Sequence, residues 1–157
     1  MKTIFTIGLL IVFAIVANFL IVFLLNLAGT PGALVAGRPG QRSKARFIAG
    51  SLVAALGQSL VYLGFVAFIV NWTRLAISIQ SVSIIAWPVA FFAVMVPIWM
   101  NLIRARLEAR EASFANPQVE ALHITTLIAL LGFFIFAFVP NAIEPVYGWI
   151  PYAHSSG

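Results

Sequence analysis

Residues 47–70 read FIAGSLVAALGQSLVYLGFVAFIV and contain no charged side chain. An α-helix needs about 20 apolar residues to cross a bilayer core of about 30 Å, so this stretch is long enough to span a membrane. Gly50, Gly57 and Gly64 recur every seven residues, with Ala54 between the first two. On a helix these positions follow one side and leave a groove that a second backbone can enter. A neighbouring stripe carries small and polar side chains, at Ser51, Ala55, Gln58 and Tyr62. We predict a central transmembrane helix whose combined face is buried against a partner helix, either within the chain or in another subunit.

Three further apolar runs have the same character, at about residues 4–27, 84–103 and 124–143. Of the 157 residues, 62% are hydrophobic and only 8% are charged. A soluble domain carries about 25% charged residues, which a chain of this composition cannot supply for its surface. The sequence therefore predicts an all-α integral membrane protein. Its expected fold is a single domain, residues 1–157, with four transmembrane helices in a compact bundle.

The distribution of cations predicts the orientation of this bundle. The two connections on one side carry seven cations: Arg38, Arg42, Lys44, Arg46, Arg104, Arg106 and Arg110. The other side has only Lys2 and Arg74. Because Lys and Arg in short loops mark the cytoplasmic side, both termini are expected on the outer side of the inner (cytoplasmic) membrane. Residues 150–157 would form an outer tail, and its HSSG ending resembles a tag linker.

The cations on the predicted cytoplasmic side also indicate a partner. We expect contact with anionic lipid headgroups, or with another anion, at Arg38, Arg42, Lys44, Arg46, Arg104 and Arg106. The alternative is a discrete anion site in residues 37–47, where Gly37 and Gly40 give the backbone freedom beside Arg donors. A lipid-contact role predicts that Lys replaces Arg38, Arg42 and Arg46 without loss, with any sensitivity confined to Arg46, because only a bidentate site needs the planar guanidinium. Nucleic acid is not an expected partner, since the cations flank apolar spans.

Two amide side chains lie deep within the predicted spans. Asn18 is about nine residues from the cytoplasmic end of the first span, and Gln58 about eleven from that of the second. Because an unpaired amide in hydrocarbon is costly, we expect Asn18 and Gln58 to contact each other and to contribute to helix packing. No ionisable residue lies in the middle of a span, which argues against a proton-coupled pump or a voltage sensor.

Few residues in the chain indicate catalysis or the binding of a metal or cofactor. There is no cysteine, and the two histidines lie on opposite sides of the predicted membrane. His123 is the candidate cofactor-binding residue, as a single axial ligand, and Glu120 shares its helical face at the i, i+3 spacing that some metal sites use. No catalytic set, metal site or cofactor is expected, apart from bound lipid.

The sequence thus leaves three functions open. The first is a small non-catalytic membrane subunit or accessory protein, packed in a larger membrane complex with other transmembrane subunits or as a homo-oligomer. The second is a transferase-like membrane enzyme with an anionic or lipophilic substrate, whose site lies between subunits at the cytoplasmic face. Its candidate residues are Arg42, Lys44, Arg46, Arg104, Arg106, Glu120 and His123. The third is a transporter or channel subunit.

Overall fold

The fold is all-helical over the residues that the computed structural model describes, which are 2–80, 86–108, 116–139 and 142. The helices are α1 (Lys2–Ala36), α2 (Lys44–Gln80), α3 (Ala86–Glu108) and α4 (Pro117–Phe138). Each is long and apolar enough to cross a membrane, over Ile15–Ala36, Lys44–Arg74, Ala86–Arg104 and Pro117–Phe138 respectively. The prediction of a multi-pass, all-α membrane protein is confirmed at this level. The predicted outer tail, residues 150–157, lies outside the described residues.

Helix α1 continues well past Leu27, where the sequence predicted the first span to end. The added residues include Gly29, Pro31 and Gly32, which disfavour a helix interior. Pro31 is exposed and Thr30 Oγ1 donates a hydrogen bond to the Asn26 carbonyl, 3.0 Å away. Both glycines are buried. Packing against α2 therefore outweighs the weak helix propensity of this segment, and the predicted boundary at residue 27 is wrong.

The turn between α1 and α2 is closed by backbone and side-chain hydrogen bonds. Gly37 has φ +79°, the left-handed conformation in which a helix commonly ends, and its N–H lies 3.2 Å from the Ala33 carbonyl oxygen. Arg42 Nε donates to the Gly37 carbonyl over 2.9 Å. On the other side of the turn, the Arg46 N–H donates to Ser43 Oγ over 3.3 Å at the start of α2. Arg42, one of the predicted anion-contact residues, thus stabilises the backbone of the turn.

Helix α2 is the central helix, because its contacts with α1 and with α4 are the two most extensive in the bundle. Its predicted polar stripe is buried, with Ser51, Ala55, Gln58 and Tyr62 each at most 5% exposed. The Tyr62 hydroxyl donates to the carbonyl of Val94 on α3. This gives a polar atom within the span a partner on a neighbouring helix, as a lipid environment requires. The helix extends to Gln80, ten residues beyond the predicted span of residues 47–70.

The small residues of α2 pack against small residues of α1. A Cβ atom added at Gly50 would lie 2.6 Å from Ala36 Cβ, and one added at Gly57 would overlap the Ala28 carbonyl. Ala54 is fully buried in the same contact. Gly50, Ala54 and Gly57 thus lie in a contact within the chain. Gly64 does not, because it is exposed and has nothing within 4 Å of an added Cβ, and its packing against another subunit stays a prediction.

The groove ends before Gly64 for a geometrical reason. A seven-residue repeat rotates by about 20° per heptad on a straight helix, so the third glycine has turned from the contact line. On α1, the buried residues toward that end are the larger Leu25 and Ile21. Two backbones cannot approach closely where such side chains stand between them.

Helices α3 and α4 begin and end away from the predicted span boundaries. Helix α3 reaches Glu108, beyond the predicted end at residue 103, while residues 84 and 85 lie outside the described ranges. Helix α4 begins at Pro117, seven residues before the predicted start at residue 124. Asn116 caps it, accepting a hydrogen bond from the Gln118 N–H over 3.0 Å. Residues 140, 141 and 143 at the predicted end are not described.

Aromatic contacts and one arginine hold α4 at its carboxyl end. Phe91 on α3 meets Phe133 edge-to-face, with ring centroids 5.4 Å apart, and Trp87 meets Phe133 at 6.4 Å. Arg74 on α2 donates through Nη2 to the carbonyls of Phe136, at 2.7 Å, and Ala137, at 3.2 Å. Carbonyls in the last turn of a helix have no partner within it, so a cation there both satisfies them and complements the helix dipole.

Candidate functional site

Gln58 forms the floor of the candidate site. Its side chain is 1% exposed, and Oε1 lies 3.2 Å from the hydroxyl oxygen of Thr125 on α4. The single proton of that hydroxyl is shared between Oε1 and the Ala121 carbonyl oxygen, 2.9 Å away. Its Nε2 donates to the carbonyl of Gln118 over 3.4 Å. The amide is therefore held between α2 and α4 at the depth where α4 begins.

The predicted contact between Asn18 and Gln58 is wrong. Gln58 is level with Gly29 of α1, since a Cβ added at Gly29 would lie 2.8 Å from Gln58 Nε2. Asn18 is eleven residues from Gly29, which is about 16 Å along a helix. The depths disagree because α1 ends at Ala36 rather than at Leu27, which moves Asn18 toward the opposite end of the bundle.

Above this floor is a cavity of about 200 Å³ between the helices, which we call the amide cavity. Its polar walls are five amide side chains and one guanidinium: Asn26, Gln58, Asn101, Arg104, Asn116 and Gln118. Val22, Leu25 and Leu122 contribute apolar wall. At about 30 Å³ per molecule of liquid water, the space equals at least six waters, which is enough for a small polar group.

All four helices bring residues to the amide cavity. Asn101 and Arg104 are one turn apart on α3 and share a face, while Gln118 lies in the first turn of α4. Gly29 makes room for two of the amides, because an added Cβ would lie 3.1 Å from Gln118 Cγ as well as against Gln58. The cavity therefore depends on the helices alternating in direction, so that residues near one end of each span converge.

The electrostatics of the amide cavity favour an anion. Among the residues that the structure describes, Arg104 is the only charged wall residue, and no carboxylate lines the cavity. The amino end of α4 adds the positive end of a helix dipole. Within the described ranges, no hydrogen bond joins the side-chain amides of Asn26, Asn101 or Gln118 to another residue. Amides both donate and accept, whereas a guanidinium only donates, so the walls suit an anionic group that also carries hydroxyls.

The six predicted anion-contact residues lie at the same end of the bundle but fall into four environments. Arg38, Lys44 and Arg46 are exposed around the turn between α1 and α2. Arg42 is partly buried against the Gly37 carbonyl, as described above. Arg104 lines the amide cavity, and Arg106 contacts His123. Their contact with lipid stays a prediction.

His123, the candidate cofactor-binding residue, is paired with an arginine. Its Nε2 lies 3.1 Å from Arg106 Nη2. Because a guanidinium only donates, Nε2 accepts and the ring proton belongs on Nδ1. Nδ1 is buried, and it has no partner in the part of the chain that the structure describes. No group of three or more metal-ligating side chains occurs among those residues either. The axial-ligand role of His123 stays a prediction.

Sequence reasoning missed most of the cavity residues, namely Asn26, Asn101, Asn116, Gln118 and the space-making Gly29. A signal was present, because four of these residues are amides close to one end of a span. In an antiparallel bundle, residues at equal distances from the same membrane face lie at the same depth. Applying that rule to every amide, and not only to Asn18 and Gln58, would have grouped them.

Comparisons with protein-family models, with curated proteins and with solved structures find no match to this chain.

Proposed function

We propose that this chain is a small non-catalytic integral membrane protein that acts by binding, and that it holds an anionic headgroup in the amide cavity. The observation that carries the proposal is the convergence of Arg104 with five side-chain amides from four helices. In such a site the guanidinium supplies a charge-assisted hydrogen bond and the amides fix the orientation of the bound group.

The chemistry of the cavity walls supports binding over catalysis. Amide side chains do not titrate and are poor nucleophiles, so they position a ligand without transferring its protons. The titratable His123 and Glu120 are on α4 but do not line the cavity. His123 is turned to Arg106 instead.

An accessory role in a larger complex is part of the same proposal. A bundle of this size presents lipid-facing apolar helices to other transmembrane subunits or to further copies of itself. We place it in the cytoplasmic membrane with both termini outside, on the unequal distribution of cations that the sequence shows. The amide cavity then opens toward the cytoplasmic headgroups.

The enzyme alternative keeps one specific observation in its favour. Arg106 and His123 form a polar pair at 3.1 Å, and Glu120 is exposed one turn away on α4. A second subunit would have to complete such a site, because Arg42 is turned to its own backbone. The transporter alternative has no comparable support.

Binding to the amide cavity is tested by comparing Arg104→Gln with Arg38→Gln. Both variants remove one exposed cation from the same end, but Arg38 lies on the turn and does not line the cavity. Purified in a neutral detergent, the protein is titrated calorimetrically with short-chain phosphatidylglycerol. Loss of a charge-assisted hydrogen bond, about 1.5–3 kcal/mol, predicts at least about ten-fold weaker binding for Arg104→Gln and little change for Arg38→Gln. Equal losses in the two variants would mean diffuse charge attraction and would overturn the proposal.

A further inference from the structure

A shallow apolar groove adjoins the amide cavity on the outer face of α3. It runs along Met100, Ile103, Arg104 and Leu107, and the largely open space beside these residues has a volume of about 380 Å³. These positions are spaced i, i+3, i+4 and i+7, so they follow one face of the helix. The three apolar side chains are 58%, 59% and 60% exposed, respectively.

Arg104 belongs to both the groove and the cavity. It is also the last residue of the membrane-spanning part of α3, Ala86–Arg104. Met100 and Ile103 therefore lie on the hydrocarbon side of the guanidinium, while the amides converge beside it. A polar compartment and an apolar one meet at a single cation at the membrane boundary.

We propose that the cavity and the groove together bind one membrane lipid, a glycerophospholipid whose headgroup is an uncharged polyol. Its phosphate contacts Arg104, the hydroxyls of its headgroup contact the amides, and an acyl chain lies along Met100 and Ile103. This inference rests on the proposed binding of an anionic headgroup and adds the class of ligand. The two compartments share Arg104. The polar one matches a lipid headgroup and the apolar one matches an acyl chain, so we assign a lipid as the occupant.

The walls of the cavity discriminate among lipid headgroups. A hydroxylated headgroup both donates and accepts hydrogen bonds, as the amides of Asn26, Asn101 and Gln118 do. A choline headgroup carries a cation that cannot be hydrogen-bonded, and it needs a carboxylate or an aromatic face instead. The described part of the cavity wall contains neither a carboxylate nor an aromatic ring. We therefore expect selection of a polyol headgroup over choline, and over a bare phosphate that leaves the amides without partners.

The test separates the headgroup from the chain with three probes, measured by calorimetry in neutral detergent. They are short-chain phosphatidylglycerol, the chainless glycerophosphoglycerol and short-chain phosphatidic acid. Because an alkyl chain gains from burial, we expect phosphatidylglycerol to bind at least about ten-fold more tightly than the chainless probe. Phosphatidic acid should bind several-fold more weakly than phosphatidylglycerol, and Asn101→Leu should remove that difference. Equal affinity of phosphatidic acid and phosphatidylglycerol for the parent would overturn the polyol assignment.

The groove is tested by Ile103→Ser, with Leu131→Ser as the matched control. Leu131 on α4 is 61% exposed and lies outside the groove. Ile103→Ser should weaken the binding of phosphatidylglycerol several-fold and leave the binding of the chainless probe unchanged. Leu131→Ser should change the binding of neither probe. If phosphatidylglycerol and the chainless glycerophosphoglycerol bind equally and Ile103→Ser has no effect, the lipid inference is wrong, even where Arg104→Gln still weakens binding. If Arg104→Gln has no effect on any probe, the proposed function itself is wrong.

Discussion

Gly57 and Gly64 occupy equivalent positions in a seven-residue repeat, but their surroundings in the bundle are opposite. At Gly57 the carbonyl of Ala28 occupies the place of a side chain, whereas at Gly64 nothing lies within 4 Å. The repeat predicted that glycine matters on this helix. It did not predict where the contact ends, because that depends on the size of the facing α1 residues.

Gly57→Ala should therefore destabilise the protein, and Gly64→Ala should not. The added methyl at position 57 forces α1 and α2 apart, and overpacking of this kind costs about 1–3 kcal/mol. At position 64 alanine adds helix propensity of up to about 1 kcal/mol without a clash. Thermal unfolding in detergent measures both, and equal melting temperatures for the two variants would contradict the described interface.

Arg42 and Arg38 also have different surroundings, because Arg42 is partly buried and bonded to the backbone whereas Arg38 is exposed. Arg42 Nε donates to the Gly37 carbonyl, so Arg42→Lys should lose a hydrogen bond worth about 0.5–1.5 kcal/mol. Arg38→Lys should be neutral. This revises the expectation from sequence that Lys is tolerated at both positions. Hydrogen exchange of residues 37–43 is the direct measurement, with faster exchange expected for Arg42→Lys alone. Unchanged exchange in that variant would restore the expectation from sequence.

At the scale of helices, sequence predicted the number of spans but not their lengths. The apolar runs identify four helices because crossing a bilayer needs a fixed length of nonpolar chain. The first span was predicted to end at residue 27, but α1 continues through Gly29, Pro31 and Gly32. In the bundle, the two buried glycines allow α1 to pack closely on α2. The amides of the cavity were missed as a consequence, since the wrong end of α1 gave Gln58 the wrong partner.

The last turn of α4 offers a test at this scale, through Arg74. Arg74→Gln removes the cation that bonds the Phe136 and Ala137 carbonyls, and the turn should fray. A loss of about 1–2 kcal/mol corresponds to exchange of the Val139 amide about 5–30 times faster. Arg46→Gln, at an exposed position by the other end of the bundle, is the control. Identical exchange in both variants would show that Arg74 does not hold the helix end.

For the whole molecule, the alternating direction of the helices places the turn of residues 37–43 at the same end as the amide cavity. The carboxyl end of α3 and the start of α4 are there too, as the contact between Arg106 and His123 shows. The described cations of the two predicted cytoplasmic connections therefore lie at one end of the bundle. Which side of the membrane that end faces stays a prediction.

Cysteine labelling tests the orientation directly, because the chain has no cysteine of its own. We expect a cysteine at Ser155 to react with an impermeant maleimide in intact cells, and one at Ser43 to react only after permeabilisation. The excess of cations in the cytoplasmic connections is the reason. The reverse pattern of labelling would mean that the bundle is inverted.

The length of the apolar part of α2 has a consequence for the surrounding bilayer. Its apolar stretch, residues 47–70, has 24 residues, which is about 36 Å of helix. A hydrocarbon core of about 30 Å takes up this length only if the helix tilts by roughly 34°, which is near the upper end of the tilts that membrane helices show. A thicker bilayer would lower the tilt that the helix needs. We therefore expect thermal stability to rise with acyl-chain length in reconstituted bilayers.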